Sequence, residues 1–260
     1  MKMNKTALIT GASSGIGLEL ARIHAGKGGD LVLVARRGDE LDRIANELSE
    51  RHSVNVDVLS ADLTSNHGVE QVMSFLSEKG IDVHYLFNNA GVGGYGYFHE
   101  RDLEKELNMI RLNIQSLVEL THRILPSMIK RGSGKILNTS STAGFIPGPL
   151  QANYYATKAF VNSFSNALDQ EVRRHGITVT SLCPGPVKTG FEDAAGMVGS
   201  GLFKNAATAH STAMKGYKAM EKGRLEVITD GPLKFAIKGL FPFTPMRLVL
   251  KSVEKLQKIK

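Results

Sequence analysis

Residues 5–20 read KTALITGASSGIGLEL. An apolar run of strand character, KTALIT (5–10), passes through a turn of glycines and serines and continues as a helix-forming segment. Gly11, Gly15 and Gly17 stand at spacings of four and two, with Ser13, Ser14 and Ile16 between them. Glycines allow the sharp turn and the close approach of backbone to a ligand, and a helix start offers unpaired N–H groups to a pyrophosphate. A glycine pattern alone is weak evidence, because a Gly-rich turn needs no ligand. Here the strand–turn–helix context supports a dinucleotide site.

Working outward, strand-like runs recur as DLVLVA (30–35), VNVDVLS (54–60), VHYLFN (83–88), GKILNTS (134–140), ITVTSL (177–182) and LEVIT (225–229). Amphipathic segments separate them. In DELDRIANELSERH, for instance, Leu41, Ile44, Ala45 and Leu48 mark one face at i, i+3, i+4 and i+7. Apolar strands alternating with helices predict right-handed βαβ units and a parallel sheet covered on both faces. The expectation is one doubly wound α/β domain of about seven strands over residues 1–260, with no repeats and no linker. Two stretches break the rhythm. Residues 190–222 are long and Gly/Ala-rich and are expected to form a lid over a substrate. Residues 231–246 are apolar and punctuated by proline, and a closing helix is expected from Thr244 (N-cap) and Pro245 (N1).

The second strand ends LVLVARR. Where an NAD-selective protein keeps a carboxylate for the ribose hydroxyls, this chain has Ala35, then Arg36 and Arg37. A guanidinium suits a 2′-phosphate. Arg36 is the candidate ligand, Arg37 reads as a solvent-facing loop residue, and the expected cofactor is NADP(H).

The 260 residues are 42% hydrophobic and 22% charged, a globular composition. The single cysteine, Cys183, excludes an internal disulfide and at the end of an apolar strand reads as a buried thiol. The first 15 residues hold only Ala7, Leu8 and Ile9 as an apolar run, shorter than a secretory signal needs, so a cytoplasmic location is expected. The net charge of +7 is uneven. Residues 204–260 carry 12 Lys/Arg against 4 Asp/Glu, which is +8, leaving −1 for the rest. No nucleic-acid motif or base-stacking aromatic pattern accompanies that charge, and nucleic acid is not expected as a partner. His24, His122 and His175 lack metal-ligand spacing, and no metal site is expected.

NYYATK (153–158) is the candidate for the chemistry, and which of its two rings would carry it, if either, is the question. A tyrosine near pKa ~10 is a poor acid or base at neutral pH unless a neighbouring cation perturbs it. Lys158 lies i+4 from Tyr154 and i+3 from Tyr155, and both spacings share a helix face. On geometry alone either ring qualifies.

Taken together, these motifs resemble the short-chain dehydrogenase/reductase family along nearly the whole chain, and the resemblance implies a Rossmann-like fold. TGASSGIG is similar to the family's cofactor loop. Asp62-Leu63 falls at its adenine position, and NNAG (88–91), with Asn89, Ala90 and Gly91, resembles the motif after its fourth strand. The family's Tyr-x-x-x-Lys selects Tyr154 with Lys158, and its serine thirteen residues earlier selects Ser141 over Ser140. Asn113 falls where the family places a helix asparagine that supports a proton relay. CPGPVKT (183–189) resembles the segment closing over the nicotinamide, with Pro184, Gly185, Val187 and Thr189 as contacts. The implied chemistry is hydride transfer between NADP(H) and a carbonyl. Ser141 and Tyr154 would bind the carbonyl oxygen, Tyr154 would act as general acid or base, and Lys158 would lower its pKa.

The substrate walls are expected from residues 91–100, from Phe145 to Leu150, and from the lid. Tyr95, Tyr97, Phe98, Phe145, Ile146 and Phe191 would make the pocket apolar. That favours a hydrophobic ketone or alcohol. The alternatives are a 3-oxoacyl group on a carrier, or a non-catalytic NADP-binding sensor on the same fold. By resemblance, the long helices at 103–130 and 154–175 would pair in a homodimer or homotetramer. The basic end around 231–260 has two readings: docking on its own domain, which needs no partner, or a weak peripheral contact with an anionic membrane.

Overall fold

A computed structural model describes residues 5–259. Seven parallel strands form one sheet: β1 (Thr6–Thr10), β2 (Leu31–Ala35), β3 (Val56–Ser60), β4 (Val83–Asn88), β5 (Gly134–Thr139), β6 (Ile177–Cys183) and β9 (Glu226–Ile228), in the order β3-β2-β1-β4-β5-β6-β9. A separate ladder pairs β7 (Val187–Lys188) with β8 (Ala207–Thr208). The seven sheet strands are the seven runs expected from sequence, with ends shifted by one or two residues.

Strand periodicity divides the core. On β1, Ala7 and Ile9 point to one side and Leu8 to the other; on β2, Leu31 and Leu33 oppose Val32 and Val34. Three helices cover the first side: α1 (Gly15–Ala25), α2 (Gly38–His52) and α8 (Ala209–Glu221), through residues such as Leu20, Ile44 and Tyr217. The other side takes α3 (Gly68–Glu78), α5 (Ser116–Arg131) and α6 (Ala152–Val172), through Val72, Ile124 and Val172. A sheet buried on both faces needs continuous apolar strands, which these runs supply.

Two expectations about elements need correction. Residues 190–222 are not one loop. They hold the short α7 (Phe191–Ala194) and β8, and then α8, whose Tyr217 is fully buried in the core. Only 190–206 remains for a lid, and β7–β8 closes its base. The closing helix α10 (Met246–Gln257) starts one residue later than expected. Pro245 has ψ 128 and stands outside the helix, and the Thr244 hydroxyl donates to the Leu240 carbonyl (2.9 Å) rather than capping. Between β9 and α10 lie α9 (Gly231–Phe235) and a π turn, Ala236–Leu240. Helix α10 docks on its own domain through Val249, Val253 and Gln257. No helix among the described residues is long and apolar enough to cross a membrane.

Candidate active site

The strand order reverses between β1 and β4, and at such a switch point the loops leaving the strands part and leave a crevice. Side chains fix its floor. Thr10 Oγ1 accepts from the backbone N–H groups of Asn89 and Ala90, both at 3.0 Å. Asn89 Nδ2 donates to the carbonyls of Thr10 (3.1 Å) and Gly11 (3.3 Å). Glycine is required here: Gly11 has φ +65 and its Cβ would lie 2.9 Å from Ala90 Cα. Gly17 does not line the crevice. A Cβ there would stand 2.3 Å from the Gly11 carbonyl oxygen, so its part is to let α1 close against the turn.

From this floor a cleft of about 900 Å³ runs along the strand ends. It gathers Gly11, Ser13, Ser14, Gly15, Ile16, Arg36, Asp62, Leu63, Asn89, Ala90 and Gly91 at one end, and Ser141, Tyr154, Lys158, Pro184, Gly185, Val187 and Thr189 at the other. Thr189 faces the glycine loop, where a Cβ on Gly15 would be 3.0 Å from its methyl. The cradle is the shape a pyrophosphate needs, with a free helix start, glycines wherever a side chain would intrude, and no carboxylate on β2. The residues present fit a nicotinamide dinucleotide.

Arg37 is exposed, as expected, but it also makes contacts that the sequence does not show. Its guanidinium folds over the glycine loop, donating to Ser13 Oγ (3.0 Å) and Ser13 O (3.3 Å). Arg36 is exposed on the cleft edge, and Ser60 Oγ holds its carbonyl (3.0 Å). Both arginines line the cleft. Asp62 is turned into its own loop, accepting from Thr64 N (2.9 Å) and Thr64 Oγ1 (2.7 Å), and these bonds hold its carboxyl below the usual carboxylate range.

At the reacting end the tyrosines separate. Tyr154 packs its ring 5.5 Å from that of Phe191, and its hydroxyl is within reach of Ser141. The Tyr155 hydroxyl accepts from Gln257 Nε2 (3.0 Å), which ties it to α10. The serines separate as well. Ser140 Oγ donates to the Lys158 carbonyl (2.9 Å) and fastens β5 to α6. Ser141 Oγ accepts from Ala143 N (3.1 Å) at the start of a short 3-10 turn, in contact with the cleft.

The electrostatics differ from the expectation that Lys158 lowers the tyrosine. Burial pushes Tyr154 up to about 12, and the neighbouring Ser141 hydroxyl offsets this only in part. Burial also pushes Lys158 down to about 8. Its Nζ donates to the Thr139 carbonyl (2.8 Å) and lies 5.8 Å from the Tyr154 ring centre. A tyrosine in this state keeps its proton at neutral pH and can donate it. Asn113 is buried behind the cleft in a π turn, Arg111–Gln115. Its Oδ1 accepts from Val92 N (2.9 Å), while Nδ2 donates to Val92 O (2.9 Å) and Thr157 Oγ1 (3.1 Å). Extra residues in helical turns recur at functional sites. Here the turn clamps the loop after β4, which carries Gly91 and Val92, onto α6. Cys183 is buried beside Asn162 and Ser181, and burial pushes its thiol up to about 12.

The substrate walls are only partly those expected. Ile146 and Phe191 line the cleft, whereas Tyr95, Tyr97, Phe98 and Phe145 do not. Arg101 donates to Tyr95 O (2.6 Å) and pairs with Glu106, and Tyr97 and Phe98 line a separate small cavity that also touches Tyr154. Phe145 lies under the Lys238 ammonium (4.8 Å). In their place come Leu202 and Phe203 from the lid segment, and Leu233, Ile237, Phe241, Val253 and Leu256 from the late helices. Gln151 was also unforeseen: it lines the cleft and donates to Gln257 Oε1 (2.6 Å). A spacing of four from Leu233 to Ile237 to Phe241 was the available sequence signal.

The family model described as short chain dehydrogenase matches residues 5–196. The very-long-chain 3-oxoacyl-CoA reductase of Anas platyrhynchos is 37% identical over 189 residues, covering 70% of this chain and 60% of that protein. The chain therefore spans about 60% of the length of the curated relatives it matches. A short-chain dehydrogenase from Sphingobium yanoikuyae, solved in complex with NADPH, superposes with a TM-score of 0.82 at 32% identity, covering 93% of this chain and 96% of that one. The bulky-bulky ketone specific alcohol dehydrogenase from Comamonas testosteroni gives 0.79 at 29%, covering 94% and 96%. Motif order, cleft and relatives agree: the chain belongs to the short-chain dehydrogenase/reductase family of oxidoreductases.

Proposed function

We propose that this protein uses NADPH to reduce a hydrophobic ketone, with a 3-oxoacyl thioester as the best-supported substrate class and Tyr154 as the general acid. The observation carrying this reading is the juxtaposition of Tyr154 and Ser141 at the end of a cleft whose far wall is aliphatic and aromatic. Ser13, Arg36 and Arg37 would hold the 2′-phosphate end, the glycine loop the pyrophosphate, and Lys158 the nicotinamide ribose. The reduced nicotinamide, once bound, supplies the hydride that converts the carbonyl carbon to an alcohol carbon.

The chain's own residues supply the rest. Ser141 and Tyr154 donate hydrogen bonds to the carbonyl oxygen, where negative charge develops, and donors fixed in place stabilise that charge more than reorienting water does. Tyr154 then passes its proton to the oxygen. An alkoxide is a far stronger base than a phenolate, so the transfer is downhill even from a phenol near 12. The lid at 190–206 excludes water from the site. The long apolar wall accepts an acyl chain, and the relatives named for very-long-chain 3-oxoacyl-CoA and for bulky ketones support that preference.

The test is NADPH consumption by purified protein across 3-oxoacyl thioesters of increasing chain length, with a ketose as control. kcat/KM should rise with chain length; a preference for the ketose, or no dependence on length, would reject the substrate assignment. A purely cofactor-binding role would show as NADPH binding without turnover on any carbonyl.

A further inference from the structure

The segments after β9 build the cleft wall with some residues and turn others into solvent. Leu233, Ile237 and Phe241 face inward from α9 and the turns that follow it, and Val253 does so from α10, while Leu256 touches the cleft at its rim and is itself 62% exposed. Between them Phe235 is 75% exposed and Phe243 85%, and Leu240 and Leu248 are also more than half exposed. Isolated exposed apolar residues are ordinary. Several large ones on adjoining turns around a cleft mouth mark an interaction surface. The same segments carry Lys234, Arg247, Lys251 and Lys255, all exposed. Among the described residues none of these four is in an ion pair, whereas Lys238 pairs with Glu226 (2.8 Å) and Lys258 with Glu254 (3.0 Å).

We propose that this collar seats the protein on an anionic lipid surface, with Phe235 and Phe243 entering the headgroup layer and the cleft mouth turned toward the lipid. Docking on its own domain and docking on lipid use opposite faces of α10. Val249, Val253 and Gln257 hold the helix to the protein, which leaves Leu248, Lys251 and Lys255 outward. Aromatic side chains amid uncompensated cations are the composition of an interfacial segment. A symmetric contact with a second copy would bring like charges toward each other. An acidic protein partner would satisfy the lysines but has no need of two exposed phenylalanines. A lipid surface satisfies both, and it would let an apolar substrate pass into the cleft without crossing water.

The experiment is co-sedimentation of the whole protein with sucrose-loaded vesicles of phosphatidylcholine, with and without phosphatidylglycerol, at low and moderate salt. Wild type should bind the anionic vesicles more than about tenfold better than the neutral ones, because each basic residue near such a surface contributes about fivefold. Added salt should weaken the binding. Phe235→Ser/Phe243→Ser and Lys251→Glu/Lys255→Glu should each lose more than about tenfold in binding while melting as wild type does. None of these four residues lines the cleft, so the result is independent of the substrate assigned above. Absence of binding to anionic vesicles, or binding unchanged in both variants, would overturn the proposal. So would a dimer in sedimentation velocity that the phenylalanine variant alone dissociates, because the patch would then belong to a second copy.

Discussion

Arg36 and Arg37 show how one residue of register changes a role. Arg37 reaches Ser13 with two bonds, and Arg36 stands exposed on the cleft edge. A single dianionic phosphate between them would meet both guanidinium groups and the Ser13 hydroxyl. Arg36→Ala and Arg37→Ala should therefore each weaken NADPH by roughly 1.5–3 kcal/mol, the range for a hydrogen bond to a charged group, and NADH far less. Fluorescence titration with both cofactors measures this, and equal weakening of the two would make either arginine structural. The sequence singled out Arg36 as the candidate ligand and read Arg37 as a solvent-facing loop residue. It could not say which guanidinium folds back, because that depends on where the glycine loop lies in space.

At the scale of elements, α1 and α8 meet through a buried histidine. The carbonyl of Lys5 lies 2.9 Å from His24 Nε2, which must therefore carry the proton, and Nδ1 then accepts from the Tyr217 hydroxyl at 3.0 Å. The neutral ring is fully satisfied. Burial holds its pKa at about 4, well below the ordinary 6.5. Between those two values the unfolded chain binds a proton that the folded chain refuses, so stability falls as pH drops from 6.5 toward 4, by ~3 kcal/mol at most. Above pH 6.5 the group contributes no slope. Chemical denaturation at pH 7 and pH 4.5 should show this loss, and His24→Gln should remove that share of it. The seven strands and their turn were legible because strand periodicity and glycine are local signals. Helix α8 was not, because its Gly, Ala, Ser and Thr residues resemble a loop and only the burial of Tyr217 identifies it as core. The wall formed by Ile237, Phe241 and Val253 was hidden for a related reason. Its Val253 part reaches the cleft only once α10 docks, through Gln257 on Gln151 and Tyr155.

For the whole molecule, self-association through α6 and α4 (Leu103–Ile110) is our proposal. Phe160 is exposed and stacks on Phe164 (5.8 Å), and Leu103 and Ile110 are exposed on α4, which contacts α6. Sedimentation velocity at micromolar concentration should give a dimer or tetramer, and Phe160→Glu should shift it toward monomer; a wild-type monomer would contradict the proposal. In the proposed mechanism one phenol, Tyr154, delivers the proton. The most direct measurement is the rate of NADPH-dependent ketone reduction by Tyr154→Phe and Tyr155→Phe, with NADPH affinity measured in parallel. Tyr154→Phe keeps the ring and removes the donor, so kcat should fall by about 10²–10⁴ with cofactor affinity within a few fold, while Tyr155→Phe stays active. Near wild-type turnover in Tyr154→Phe, with Tyr155→Phe inactive, would contradict the account.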